Sequence, residues 1–206
     1  MSIYLPYRYL WKKNIENEAL DILDFMPKVK WPLDPTTVAE YLGLDTEIID
    51  LPLEGENDIA AMILPMEKKI LVNENSEQLA QGFESSCIAH EIGHWALHID
   101  HHGVEKQRNL GLDSCRVEPL HKMYRKNIQD RIEWQAQYFA GCLLMPRYKL
   151  EEGKKGRDLT NWKHLGAMAH ELGVTKSNLT YRLKDLGWIH IPKGSKRIYA
   201  PIVVSG

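Results

Sequence analysis

Hydrophobic residues recur every three or four positions in several stretches of the chain, the spacing of one face of an α-helix. Asn14 is the expected N-cap of the first helix, Gly43 ends the second and Pro146 ends the fourth. Gly173 is the expected turn between the last two. In chain order, the predicted helices span residues 14–26, 36–42, 77–98, 128–145, 161–172 and 176–186.

Three shorter stretches, rich in isoleucine, leucine and valine, are typical of β-strands. The predicted strands are residues 46–51, 59–64 and 69–72. A Pro-Met-Glu-Lys sequence separates the last two, which favours an antiparallel hairpin. Residues 100–114 show little periodicity and are expected to form a loop, and two further strands are possible around residues 192–195. The pattern predicts an α+β protein with a small antiparallel sheet.

A charged, glycine-bearing segment at residues 151–158 interrupts the periodic pattern. We place a domain boundary there, between a first domain of residues 1–156 and a second of residues 157–206. The second domain contains the last two predicted helices, which resemble a helix-turn-helix, and a short tail.

Composition narrows the class of protein. Of the 206 residues, 44% are hydrophobic and the formal net charge is −2, so the chain lacks the basic field of a non-specific nucleic-acid or membrane binder. No apolar run approaches the roughly 18 residues of a spanning helix, and the first residues lack a signal-peptide pattern. The three cysteines are far apart, which indicates free thiols and a cytoplasmic protein.

Histidine is the unusual residue, because five of the nine lie between positions 90 and 102. Residues 90–94 read His-Glu-Ile-Gly-His, an HExxH sequence inside a predicted helix. Residues four apart lie on the same helix face, so His90 and His94 can bind one metal ion. Glu91 is placed to act as general base on a metal-bound water. A shuffled chain of this composition would contain the motif in roughly 3% of cases.

A catalytic zinc ion needs a third protein ligand. His98 extends the histidine series, but eight residues of helix rise about 12 Å, too far for His90, His94 and His98 to bind one ion. Cys87 could supply a thiolate and close the site, although a small buried cysteine is the commoner role. Glu133, 39 residues beyond His94 on another predicted helix, is a better candidate.

Two motifs together resemble the ImmA/IrrE family of zinc metallopeptidases. Residues 90–98 read HEIGHWALH, and residues 133–146 read EWQAQYFAGCLLMP. That family couples an HExxHxxxH-like helix to an ExxAxxFAxxLLMP helix. Residues 34–44 and a hairpin ending at residues 69–73 are similar to its lead-in, and the resemblance covers about residues 30–190.

The resemblance implies a minimal zincin-like fold, with zinc held by His90, His94 and Glu133 and with Glu91 as general base. Members are intracellular peptidases, and the best-understood ones cleave helix-turn-helix repressors. Gln137 stands where the family often has asparagine, and Gln137 and His98 are candidates to support a metal ligand through hydrogen bonds. The second oxyanion donor is open among four residues, His98, His121, Tyr124 and Tyr138.

The helix-turn-helix-like segment has two interpretations. As a DNA reader it would place five residues in the major groove, Lys176, Ser177, Asn178, Tyr181 and Arg182. As a packing unit it would support the peptidase or bind a protein. The net charge favours this second interpretation, because the chain lacks a basic field that would attract DNA. We therefore expect a protein substrate and no DNA binding. The alternatives are a zinc-containing regulator that acts by protein or DNA binding with little proteolysis, and a zinc hydrolase with a non-protein substrate.

Overall fold

The computed structural model describes residues 3–50, 60–74, 82–111 and 126–201. Its strands are β1 (Asp45–Ile49), β2 (Ala61–Leu64) and β3 (Lys69–Asn73). This α+β architecture agrees with the predicted minimal zincin-like fold. Its helices are α1 (Lys12–Phe25), α2 (Pro35–Tyr41), α3 (Phe83–His98), α4 (His101–Asn109), α5 (Lys126–Leu144), α6 (Arg147–Gly153), α7 (Trp162–Glu171) and α8 (Lys176–Asp185).

The strands form one sheet in the order β1-β3-β2. The β2–β3 pair is antiparallel, as predicted, with Ile63 opposite Ile70. β1 joins the other edge of β3 in parallel, with Thr46 opposite Ile70, so the sheet is mixed rather than purely antiparallel. β3 takes the centre because its Ile70 and Val72 side chains are fully buried.

The helices α3 and α5 pack against each other at the centre of the core. Their contact is unusually close at Gly93, where an added Cβ would lie 3.0 Å from the carbonyl oxygen of Ala136 and 3.1 Å from the ring of Phe139. Glycine therefore lets the two backbones approach closely within the histidine motif itself. The approach brings the first half of α5 against His90 and His94.

Two predictions about the helices differ from the structure. α1 begins at Lys12 after Trp11, which makes no side-chain cap, so Asn14 is not the N-cap. Residues 101–109 form α4 instead of a loop, because the Asp100 carboxylate accepts a hydrogen bond from the Gly103 amide at 3.0 Å and starts the helix. This helix is largely polar, so hydrophobic periodicity did not reveal it. Residues 77–81, where the third helix was expected to begin, lie outside the described residues.

The C-terminal helices have the predicted helix-turn-helix form. Gly173 makes the turn between α7 and α8 with φ +66°. Gly82, in the left-handed conformation just before α3, touches this turn, and a Cβ there would lie 2.4 Å from the Gly173 carbonyl oxygen. The segment therefore packs tightly against the start of the histidine helix. The division into two domains at residue 156 stays a prediction, although α6 already occupies the first part of the predicted boundary.

The chain beyond α8 is less regular than expected. Instead of two strands, the described part has one antiparallel bridge between His190 and Tyr199. Among the described residues, no helix is long and apolar enough to cross a membrane.

Candidate metal centre

Three of the predicted site residues converge where α3 meets α5. His90 Nε2 lies 3.0 Å from Glu133 Oε2 and 3.0 Å from His94 Nε2, and His94 Nε2 lies 3.4 Å from Glu133 Oε2. Within the described residues, His90, His94 and Glu133 form a group whose ligand atoms all lie within 4.8 Å of one another. Cys87 and His98 are not members of this group.

The geometry fits a single small ion. Donors that bind zinc at about 2.0–2.1 Å in a tetrahedron are separated by roughly 3.3–3.4 Å. The three observed separations are close to that edge length, and two imidazoles with one carboxylate are a common donor set for catalytic zinc. Three donors also leave the fourth position of a tetrahedral ion for water or substrate.

Electrostatics also favour a cation at this position. Burial alone would lower the pKa of His90, but the carboxylates of Glu133 and Glu91 outweigh it and raise the pKa above its ordinary value. Burial would raise the pKa of Glu133, yet the hydrogen bond from His90 and the neighbouring His94 ring hold it well below its usual range. Glu133 is thus a carboxylate at neutral pH, ready to bind a positive charge.

A buried chain of hydrogen bonds leads away from His94 and orients its ring. The Gln135 side-chain amide donates to the carbonyl oxygen of Arg8 at 3.1 Å, which turns Gln135 Oε1 toward His98 Nε2 at 3.0 Å. Oε1 can only accept, so His98 carries its proton on Nε2 and accepts at Nδ1 from His94 Nδ1, 3.1 Å away. His94 Nε2 then keeps its lone pair and faces Glu133.

Burial supports this assignment of protons. Gln135 is 1% exposed and His98 is 6% exposed. Burial, followed by the neighbouring His94, lowers the pKa of His98 to about 4, so its ring is neutral at pH 7. The neutral ring has one donor and one acceptor nitrogen, as the hydrogen-bond chain requires.

The histidine face of α3 opens into a cleft of about 610 Å³. His90, Glu91, Glu133 and Gln137 line it together with Ala61 of the edge strand β2. The Gln137 side chain also forms a hydrogen bond with the His90 ring. Glu91 is buried and lines the same cleft as His90 and Glu133.

Cys87 lies in the wall of this cleft, outside the donor group. Burial, assisted by Glu91 and Glu84, raises the pKa of its thiol to about 12. Its sulfur does not belong to the group of donor atoms that converge at one point. The structure thus favours the packing role for Cys87 over the thiolate ligand.

The start of α8 faces the same cleft. Thr175, Ser177 and Asn178 line it, and Asn178 donates a side-chain hydrogen bond to Ser86 of α3. Arg182, one of the five major-groove candidates, is 3% exposed and bound to Glu16 of α1 at 2.7 Å. Arg182 is therefore not available to the major groove, which argues against the DNA-reading interpretation of this segment.

Of the proposed oxyanion donors, His121 and Tyr124 lie outside the described residues. His98 faces Gln135 and His94 rather than the cleft. The Tyr138 hydroxyl accepts a hydrogen bond from Arg182 at 3.2 Å and lines an adjacent cavity. The sequence analysis did not identify Gln135 as part of the site. The only feature of the sequence that could have indicated it is its position two residues after Glu133.

Comparison with known proteins identifies a family and a similar fold. A search of curated proteins finds no match. A solved structure described as a Mycobacterium tuberculosis transcriptional regulator has a similar fold, with a TM-score of 0.51 at 13% identity over 84% of this chain and 46% of that chain. This chain thus spans less than half the length of that protein. Residues 39–184 match the Peptidase M78 family model, the IrrE N-terminal-like domain, and the chain belongs to this metallopeptidase-type family.

Proposed function

We propose that this protein is a zinc-dependent endopeptidase with His90, His94 and Glu133 as metal ligands. The observation that carries the proposal is the convergence of these three side chains from two helices onto one point, with His90 and Glu133 lining an open cleft. Membership of a metallopeptidase-type family supports it independently.

A bound zinc ion would polarise the peptide carbonyl and lower the pKa of a water held beside it. Glu91 follows His90 along α3 and lines the same cleft, which supports its carboxylate as the base that takes the proton of the attacking water. Glu91 can then return that proton to the leaving amine. The chain of hydrogen bonds from the Arg8 carbonyl oxygen to His94 holds the His94 ring in the tautomer that a metal ligand requires. Gln137 supports His90 through a hydrogen bond.

The test compares Glu91→Gln with Glu133→Ala. Wild-type protein should hold about one zinc per chain by elemental analysis, and Glu133→Ala should lose most of it. Glu91→Gln keeps the shape but not the basicity, so it should retain zinc and cleave at least about 100-fold more slowly. Full zinc retention in Glu133→Ala would remove Glu133 from the ligand set, and equal cleavage by Glu91→Gln would exclude it as the base.

For the substrate, we propose a specific helix-turn-helix repressor in the cytoplasm. The resemblance to the ImmA/IrrE family supports this choice. Co-expression with a repressor encoded by a neighbouring gene, followed by mass spectrometry of the fragments, tests it. A repressor that remains intact with wild-type protein and is equally intact with Glu91→Gln would count against the assignment.

A second candidate is a zinc-containing regulator that acts through DNA or a protein partner. The helix-turn-helix form of α7 and α8 favours it, whereas the buried Arg182 and the cleft-facing start of α8 argue against DNA. Lys176 and Lys184 remain the exposed cations of α8. Tight sequence-specific binding of duplex DNA, abolished in Lys176→Glu/Lys184→Glu, would favour the regulator. Weak binding that falls steeply with salt would indicate phosphate contacts alone.

A further inference from the structure

A second cavity of about 420 Å³ lies between α5 and α8. Its walls come from Trp134 and Tyr138 on one helix, Tyr181 on the other, and Leu144 and Met145 at the end of α5. The volume falls in the range of small-ligand pockets.

This cavity adjoins the metal cleft. Ser86, Gln137 and Asn178 line both spaces. Gln137 lies one helical turn after Glu133, so the cavity opens about 6 Å along α5 from the candidate ligand. A polypeptide in the cleft would therefore carry the side chain beside its cleaved bond to the mouth of the cavity.

The cavity is built from aromatic and aliphatic surface. The rings of Trp134 and Tyr138 stack with centroids 5.5 Å apart and an interplanar angle of 23°. Trp134 is 41% exposed and Tyr181 is 64% exposed, so both rings have free faces. Aromatic surface that is partly exposed beside a cleft is the kind of surface that binds apolar groups.

The charged groups at the base of the cavity are already paired. Arg182 donates to Glu16 Oε1 at 2.7 Å, to the Tyr138 hydroxyl at 3.2 Å and to the Met145 carbonyl oxygen at 3.3 Å. Asp185 binds Lys12 at 2.7 Å. A charged substrate group would have to compete with these pairs, whereas a neutral one would not.

We propose that this cavity is a specificity pocket that receives a large apolar side chain, aromatic or long aliphatic, next to the bond that is cleaved. The proposal rests on the proposed peptidase function and adds the class of residue that the enzyme selects. Gly141 makes room for this side chain in the cavity wall, because its nearest neighbour, Arg182 Cδ, is 3.8 Å from a built Cβ.

The experiment measures binding rather than turnover. Isothermal titration calorimetry with zinc-loaded protein compares the hydroxamates of N-acetyl-phenylalanine, N-acetyl-glycine and N-acetyl-aspartate, which share one metal-binding group. The phenylalanine compound should bind at least tenfold more tightly than the glycine compound, because it buries an apolar side chain. The aspartate compound should bind no better than the glycine compound.

Gly141→Leu places an isobutyl group in the cavity and should bring the phenylalanine-to-glycine affinity ratio toward one. Ala167→Leu is the matched control, because it adds aliphatic bulk at an exposed position of α7. Its ratio should equal that of the wild type. The zinc content and melting temperature of each variant report separately on the metal centre and the fold.

The outcomes separate the two proposals. Equal affinity for the phenylalanine and glycine compounds in the wild type would overturn the pocket and leave the metal centre standing. An unchanged ratio in Gly141→Leu would also overturn it. Failure of all three hydroxamates to bind zinc-loaded protein would overturn the proposed function and the pocket with it.

Discussion

The side-chain amide of Gln135 donates to the backbone carbonyl oxygen of Arg8 at 3.1 Å, across 127 residues of sequence. Because that carbonyl can only accept, it decides which end of the amide faces His98. The same contact thereby determines which nitrogen of His94 carries the proton and leaves the lone pair of Nε2 facing the metal centre. The N-terminal segment is thus part of the architecture of the site.

Replacing Gln135 tests this relationship. Gln135→Met keeps a similar volume but removes both hydrogen bonds, so metal affinity should fall about 10- to 100-fold. Competition with a chromogenic chelator measures the affinity. Gln129→Met, at a half-buried position of the same helix, is the control and should bind metal like the wild type. Wild-type affinity in Gln135→Met would show that the hydrogen-bond chain does not support the ligand.

The close approach of α3 and α5 predicts opposite effects at two helical glycines. Gly93→Ala places a methyl group 3.0 Å from the Ala136 carbonyl oxygen and should destabilise the fold by about 1–3 kcal/mol. Gly141→Ala meets nothing closer than 3.8 Å and should stabilise it by about 0.5–1 kcal/mol through helix propensity. Urea unfolding of both variants measures the difference, and equal stabilities would contradict the packing argument.

The Arg182–Glu16 pair joins α8 to α1 in the core. Truncating the buried guanidinium in Arg182→Ala leaves the Glu16 carboxylate without its partner and should cost about 3 kcal/mol in the free energy of unfolding. The double variant Glu16→Gln/Arg182→Met removes the charge and fills the space. It should be more stable than Arg182→Ala in the same urea titration. A loss below about 1 kcal/mol for Arg182→Ala would place this pair among weak surface ion pairs.

Burial raises the pKa of both Cys87 and Cys142 to about 12. At pH 8 each thiol is then almost entirely protonated, and only the thiolate reacts with a disulfide reagent. In a Cys115→Ser background, both should react at least about 100-fold more slowly than a free cysteine. Full reactivity in urea is the control. Rapid labelling of Cys87 in the native protein would indicate a thiolate in the cleft, and Cys87 would again have to be considered as a metal ligand.

Whether a part of the fold or the site could be predicted from the sequence depends on how far apart in the chain the interacting residues lie. The His90–His94 pair was predictable because helix geometry alone puts residues four apart on one face. The turn at Gly173 and the β2–β3 hairpin were also predictable, because each depends on residues that are close together in the sequence. α4 was missed because its start depends on the Asp100 cap rather than on a hydrophobic face.

Tertiary structure decided the rest. Glu133 is by sequence one glutamate among seventeen, and only the glycine-permitted contact of α3 with α5 places its carboxylate 3.0 Å from His90. In the sequence, Arg182 looks like any other cation on a helix, and its burial depends on the packing of α1. Nothing in the sequence near Gln135 predicts its contact with Arg8. The sequence by itself determined the HExxH helix, because the helical period relates residues that are close together along the chain. Packing between distant segments completed the site, because its distances depend on how helices approach one another.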